Sequence, residues 1–487
     1  MHTSPAGLTN TLRIARQQLG AVREDGAVVF LLALVAALGL VAALGARHQE
    51  AEESGQRARY QAMVDRQWVE QPERHPHRVI HYGFLVFREQ APLEFFDPGV
   101  SDYTGTSIFL EGHRQNTANF GEARHATGLS RFGRLTPASV LALLLPLLVV
   151  AAGFAAVSRE REGGTLGVLL TAGATPTQLL AGKVLATGAV GALATLPVAL
   201  AIAAFIWPGL DSPASGVRLG ALAAIYGVYL AGWVLLTVLV SAVRTSSRSA
   251  LAQLLALWVV ICIAAPRMAA SVAGALHPLP SRAELTAQVE EALNQAGDSH
   301  RPDDPFFRSL RDEYLERYDV TTVEDLPMNW RGVVSYEAEA VTSQIFEDHR
   351  QELVAGHLRQ NRVMAWSGLL SPYLAARDLS MGVAGSGPGA MEAFLAEAET
   401  HRYTIIQRLN ELHMHEIRYE ENDRSQRLRP QHWAEFPVFG TEPPPLGGVL
   451  TDRSVSLAAL GLWIGLPLAG LGFARRRLSR VGAGRSG

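Results

Sequence analysis

The sequence predicts an integral membrane protein, mainly α-helical, with six transmembrane helices and two extracytoplasmic insertions, the first mixed α/β and the second mainly helical. Three observations predict it. Apolar residues make up 48% of the chain, but they are gathered into long uncharged runs that alternate with segments as polar as a soluble protein. Six runs approach or exceed the roughly 20 residues that cross a hydrocarbon core of about 30 Å as a helix. The arginines flanking those runs fall on one side of the resulting topology.

At 487 residues there is room for two to four domains. The net charge of -3, with no basic tract interleaved with aromatics, argues against a nucleic-acid partner. The basic residues are arginines except for Lys183. A single cysteine, Cys262, excludes an internal disulfide and a Cys-rich metal site.

The runs are Ala27 to Ala46, Pro137 to Val157, Val184 to Trp207, Val217 to Val243, Ala250 to Leu276 and Ser454 to Ala474. The first is longer than the apolar region of a typical signal peptide, so it reads as an uncleaved anchor. Pro146, Pro266 and Pro467 lie inside runs, where membrane helices tolerate proline better than soluble ones do. Arg267 lies where it can snorkel to headgroups.

Arg13, Arg16 and Arg23 precede the first run. Arg159, Arg161 and Lys183 separate the second and third, and Arg244 and Arg248 the fourth and fifth. Arg475, Arg476, Arg477 and Arg480 follow the sixth, whereas the short loop between the third and fourth holds only Asp211, with Arg218 at its margin. Both termini are therefore expected in the cytoplasm. The chain divides into 1–46, 47–136, 137–276, 277–453 and 454–487, with 47–136 and 277–453 outside.

In the first insertion, Gln49 to Glu70 reads as a polar helix broken by Pro72 and Pro76, and Arg78 to Arg88 as a β-strand. In the second, Leu285, Val289 and Leu293, then Phe306, Phe307, Leu310 and Tyr314, have helical spacing. Longer helices are expected near Val334 to Ser367 and Gly389 to Glu421. Phe394, Leu395, Ala398, Ile405, Leu409 and Leu412 form a stripe read as core. A glycine-rich turn spans Gly382 to Gly389, and Pro437 with Pro443 to Pro445 make a stiff return to the membrane.

Residues 158–183 lie between the second and third runs and begin Ser158-Arg-Glu-Arg-Glu-Gly-Gly-Thr-Leu. Gly163 and Gly164 permit a sharp turn, and Thr165 can cap a new helix. Leu166, Leu169, Leu170, Leu179 and Leu180 give that helix an apolar face, and Pro176 divides it into two pieces. Such a helix lies at the membrane surface with one face free for a partner; the plainer alternative is an ordinary interfacial loop. Glu160 and Glu162 are expected to pair with Arg159 and Arg161, or with a partner, rather than to act as a catalytic pair.

Glu160-x-Glu162-x-Gly164-Thr165-Leu166, then Leu169-Leu170, then Gly182-Lys183 resembles the signature loop of ABC-2 type permeases, notably those of the copper-maturation and gliding-motility exporter type. The large insertions resemble those of a bacterial subfamily in which Leu370-Ser371-Pro372 and Trp433-x-Glu435-Phe436-Pro437 are typical pieces. The resemblance implies a six-span permease, half of a usual translocation pathway, that pairs with a second copy or a paralogue. It also implies a coupling helix at 158–183 that docks in a separate ABC ATPase. Arg159, Glu160, Arg161, Glu162, Gly164, Thr165, Leu166, Leu169 and Leu170 would carry that coupling. No cofactor is then expected in this chain, ATP residing on the partner subunit; membrane lipid and a periplasmic protein are the other expected partners.

Counting residues agrees. A phosphate-cradling loop needs Gly-Lys-Ser/Thr, but Lys183 is followed by Val184 and position 177 is threonine. The GxSxG elbow of a serine hydrolase is missing too. Histidines supply the alternative, a membrane-anchored periplasmic protein that binds metal or a partner. His75, His77 and His81 lie in the first insertion, and His413 with His415 and Glu416 in the second. Imidazoles two apart on a helix diverge, so His413 and His415 chelate poorly. Solvated surface histidines are the expected reading of both groups, with no metal site.

Overall fold

The computed structural model describes residues 5–116, 134–206, 213–297, 301, 304–420, 422–434, 436, 438–440 and 444–483. Trp207, Asp211, Glu435, Pro437 and Pro443, which figure in the expectations above, lie outside them. Among the described residues, six helices are long and apolar enough to cross a membrane, and the protein is mainly helical.

Helix α1 (Pro5–Glu24) precedes the first span, buries Thr11, Ile14 and Ala15, and is too polar to cross a bilayer. Asp25 then caps α2 (Gly26–Val69) by accepting the N–H groups of Ala27 and Val28. This helix runs 44 residues without a break. At 1.5 Å per residue it is about 66 Å long, twice a hydrocarbon core. The anchor and the polar stretch from Gln49 are thus one rod, because no proline interrupts the chain before Pro72.

The other spans are α4 (137–153), α7 (Pro176–Ile206), α8 (Pro213–Val243), α9 (Ser247–Leu276) and α15 (Ser454–Ala483). In α4 and α9 one turn widens to π geometry, at Val140–Leu144 and Val260–Ala264, just before Pro146 and Pro266. Proline lacks an N–H and crowds the carbonyl four residues back, and a π turn absorbs that misfit. Carbonyls in the two widened turns find other donors. Tyr229 Oη donates to Ala142 O (2.9 Å), Trp258 Nε1 to Leu143 O (3.1 Å) and Ser371 Oγ to Ile261 O (2.6 Å). In a low-dielectric core such replacement is obligatory.

The polar segments lie between the first and second spans and between the fifth and sixth. The expected strand over Arg78 to Arg88 is mostly wrong: Pro76–Tyr82 is a helix, α3. His75 caps it by accepting the His77 N–H, and Pro76 occupies its first position. These start signals outweigh the β propensity of Val79, Ile80 and Tyr82. Only Phe84–Phe87 (β1) extends, pairing antiparallel with Ser107–Leu110 (β2) in a two-stranded sheet, Phe84 opposite Leu110.

Helices α10 (Arg282–Ala296), α11 (Pro305–Arg317), α12 (Trp330–Ser367), α13 (Pro372–Ala384) and α14 (Pro388–Glu416) form the second segment. The α14 stripe is core: Phe394, Ala398, Ile405, Leu409 and Leu412 are buried and Leu395 packs beside them. The α10 stripe is not, since no residue of α10 is buried.

The polar segments do not pack as separate bodies. Val79 and Ile80 share one core with Ile405, Ile406, Leu409, Leu412 and Trp433. Arg74 and Leu428 form a β-bridge, and Arg402 donates to both Glu111 O and Glu339. Helix α13 fastens this body to the spans. Tyr226 of α8 donates to Ser380 (3.0 Å), Ser456 of α15 to Asp378 (2.6 Å), and Arg218 to Val383 O (3.0 Å).

Candidate functional site

The segment after α4 turns at Phe154 and forms two short helices, α5 (Ser158–Glu162) and α6 (Thr165–Thr171), before α7 begins at Pro176. Gly164 joins them with φ 71°, the left-handed region that glycine enters without strain. The interfacial helix is therefore shorter than 158–183. Pro176 does not divide it but starts the spanning helix, where proline suits the first turn, and Leu179, Leu180, Gly182 and Lys183 belong to α7.

The charges face inward more than expected. Lys183 Nζ donates to Glu160 (3.0 Å) and to Gln18 of α1 (2.9 Å), and its side chain is only 4% exposed. Gln18 Nε2 in turn donates to Ala152 O (3.4 Å) at the end of α4. Thr165 Oγ1 also donates to Glu160. A Cβ on Gly182 would lie 2.7 Å from the Ile14 side chain and 2.9 Å from Thr11 O, so only glycine lets α1 cross α7 here.

Glu162 reaches across to α9, accepting from Ser247 N (3.0 Å) and Ser247 Oγ (2.5 Å). There it satisfies a free N–H and meets the positive end of the helix. Arg161 donates to carbonyls at the end of α8, that of Ala242 (2.6 Å) in its last turn and that of Arg244 just past it. Ser241 Oγ accepts from Val157 N (3.0 Å) and Ser158 N (3.2 Å). The expected pairing of Glu160 and Glu162 with Arg159 and Arg161 is thus replaced by ties to α7, α8 and α9; Arg159 is exposed.

The apolar face also turns inward. Leu166 is 4% exposed and, with Leu169 and Leu170, packs on Leu235 and Val238 of α8 and Leu471, Ala474 and Leu478 of α15. What α6 presents outward is Thr165, Val168 and Thr171, with Val168 65% exposed. Sequence reasoning missed Val168, although a turn count from Leu166 places it on the opposite face. It also missed Gln18, Ser241 and Ser247, for which no signal exists because each lies far along the chain from its partner.

The histidines regroup as well. His75 and His413 are buried, 3% and 4% exposed, with rings 4.5 Å apart and Asp423 beside them. His77 and His81 gather with His113, and His415 is exposed. The expectation of solvated surface histidines therefore holds only for His415 and, within its cluster, the exposed His81.

The family model described as ABC-2 family transporter protein matches residues 13–297, more than half of the 487-residue chain. A second model, Domain of unknown function (DUF3526), matches 282–442, the range of α10 to α14. No curated protein matches the chain significantly. The six spans, the short brace after the second of them and the match over residues 13–297 place this chain in the ABC-2 transporter family, as a multi-pass membrane permease.

Proposed function

We propose that the chain is the transmembrane subunit of an ATP-driven exporter, powered by a separate ABC ATPase that docks on α6 from the cytoplasm. The family supports an ABC ATPase as partner. One observation carries the docking reading: α6 exposes Val168 on its outer side while its inner side is packed into α8 and α15. A push on α6 would travel through Leu166 to those spans, through Glu162 to α9, and through Glu160 and Lys183 to α7 and α1. An exposed loop lacking these ties could bind a partner but would transmit little.

The spans also suit pairing with a second permease. The most apolar windows of the first, fifth and sixth spans are 28%, 22% and 28% buried, against 67% and 56% for the second and fourth. The former leave apolar perimeter for lipid and for a second copy or paralogue. The arginine distribution supports a cytoplasmic location for α6 and both termini in a bacterial inner membrane.

Copurification tests the reading. The tagged permease should bring down an ATPase, and Val168→Asp should abolish that association and ATP-driven activity at unchanged thermal stability. Val168 is exposed, so its substitution leaves the packed side of α6 intact, and the melting midpoint checks this. An ATPase still bound and active with Val168→Asp would reject docking on α6.

A further inference from the structure

We propose that His77, His81 and His113 form a binding site for a divalent transition-metal ion of the zinc class, with Glu339 orienting His113 from behind. The site is independent of transport and of the docking of an ATPase.

His77 and His81 lie four apart on α3, the spacing that puts two side chains over one another on a helix face. Their Nε2 atoms are 3.2 Å apart. Two imidazole nitrogens about 2.05 Å from one tetrahedral zinc ion lie about 3.3 Å apart, so the spacing already matches a shared ion. One N–H···N hydrogen bond would give the same distance, which is the rival explanation. The third histidine favours the ion. The rings of His81 and His113 are 5.4 Å apart, and one ligand atom from each of the three histidines falls within 4.8 Å of the other two.

His113 is held there at a cost. Its φ is 62°, unusual for a residue with a side chain. Its backbone N–H donates to Glu339 Oε2 (3.0 Å), and its Nδ1 lies 3.3 Å from the same oxygen. An Nδ1–H given to a carboxylate leaves Nε2 as a lone pair, the tautomer a metal needs. Glu339 is fully buried and bonded to Arg402 Nη1 at 2.6 Å. Three imidazoles without a carboxylate in the ligand set suit zinc, cobalt or copper rather than calcium or magnesium. The exposed side of His81 leaves a fourth position open to water or a small ligand.

The neighbouring group of His75, His413 and Asp423 is a poorer site. His75 Nδ1 is already used to cap α3, and Asp423 is bonded to Asn329 (3.2 Å) and Arg331 (2.6 Å). We read that group as a strut between the two polar segments.

The test uses tag-free, full-length protein in detergent, stripped with chelator and dialysed. Zinc added alone should bind at one equivalent per chain with micromolar or tighter affinity, and cobalt(II) should give the intense visible bands of a tetrahedral site. His81→Ala and His113→Ala should each weaken zinc binding at least about tenfold, and Glu339→Gln by about 10- to 100-fold. His415→Ala should change nothing. His81 is exposed, so His81→Ala should fold; zinc should raise the thermal midpoint of the wild type but not of this variant. Binding well below one equivalent, or equal binding in the His77→Ala/His81→Ala/His113→Ala protein, would overturn the site.

Discussion

Lys183 shows how one residue sets the local order. It is the only lysine, and its ammonium joins Glu160, Gln18 and the start of α7 away from water. Lys183→Met leaves Glu160 charged without its ammonium partner at 18% exposure; we expect a loss of about 2 kcal/mol, below the range for fully buried pairs. Adding Glu160→Gln should recover part of it, and thermal unfolding of the four proteins measures the coupling. His401 gives a pH dependence. Burial lowers its pKa from 6.5, its ring lying between Phe84 (5.5 Å) and Phe439 (5.4 Å). The folded state keeps it neutral while the unfolded chain takes up a proton. Stability is therefore full above the unfolded pKa and falls as pH drops below about 6.5. His401→Phe should make that decline shallower in melting curves taken from pH 7.5 to 5.

Among the elements, the two proline-bearing spans matter most. Each pairs a π turn with a proline and borrows a donor from elsewhere, so their geometry depends on neighbouring helices. Ser371 does this for α9 from the polar body, and also caps α13 by accepting from Leu374 N (3.4 Å). Ser371→Ala should cost about 1–2 kcal/mol, from a buried carbonyl left unpaired and a lost cap. A thermal midpoint unchanged in detergent would contradict that role. Helix α6 follows a similar logic: its seven residues are too few to be stable alone, and packing against α8 and α15 sustains them.

For the whole molecule, the decisive feature is that the two polar segments share one core, which α13 and Leu93, Phe95 and Phe96 fasten to the spans. Ile80→Ala should therefore loosen both segments together. Its side chain is fully buried, so the loss should be about 3 kcal/mol. Hydrogen exchange should rise over Ile405 to Leu412 of α14 as well as over α3. Exchange confined to α3 would mean that the segments fold independently.

What could be read in advance divides along the same scales. Crossing a membrane is decided by contiguous apolar length, a sum over neighbours in the chain, so all six spans were legible. The α14 stripe was legible for the same reason, its period being local. Local start signals at His75 and Pro76 were present but lost to the β propensity of the residues that follow. The Glu160 to Leu170 loop was identifiable as a motif, yet its orientation was not: whether Leu166 or Val168 meets a partner depends on what packs behind the helix. The meeting of Glu162 with Ser247, of His113 with Glu339 and of His75 with His413 depended on tertiary structure alone. Each joins residues dozens to hundreds of positions apart, and no periodicity along a chain encodes which distant side chains close packing will bring together.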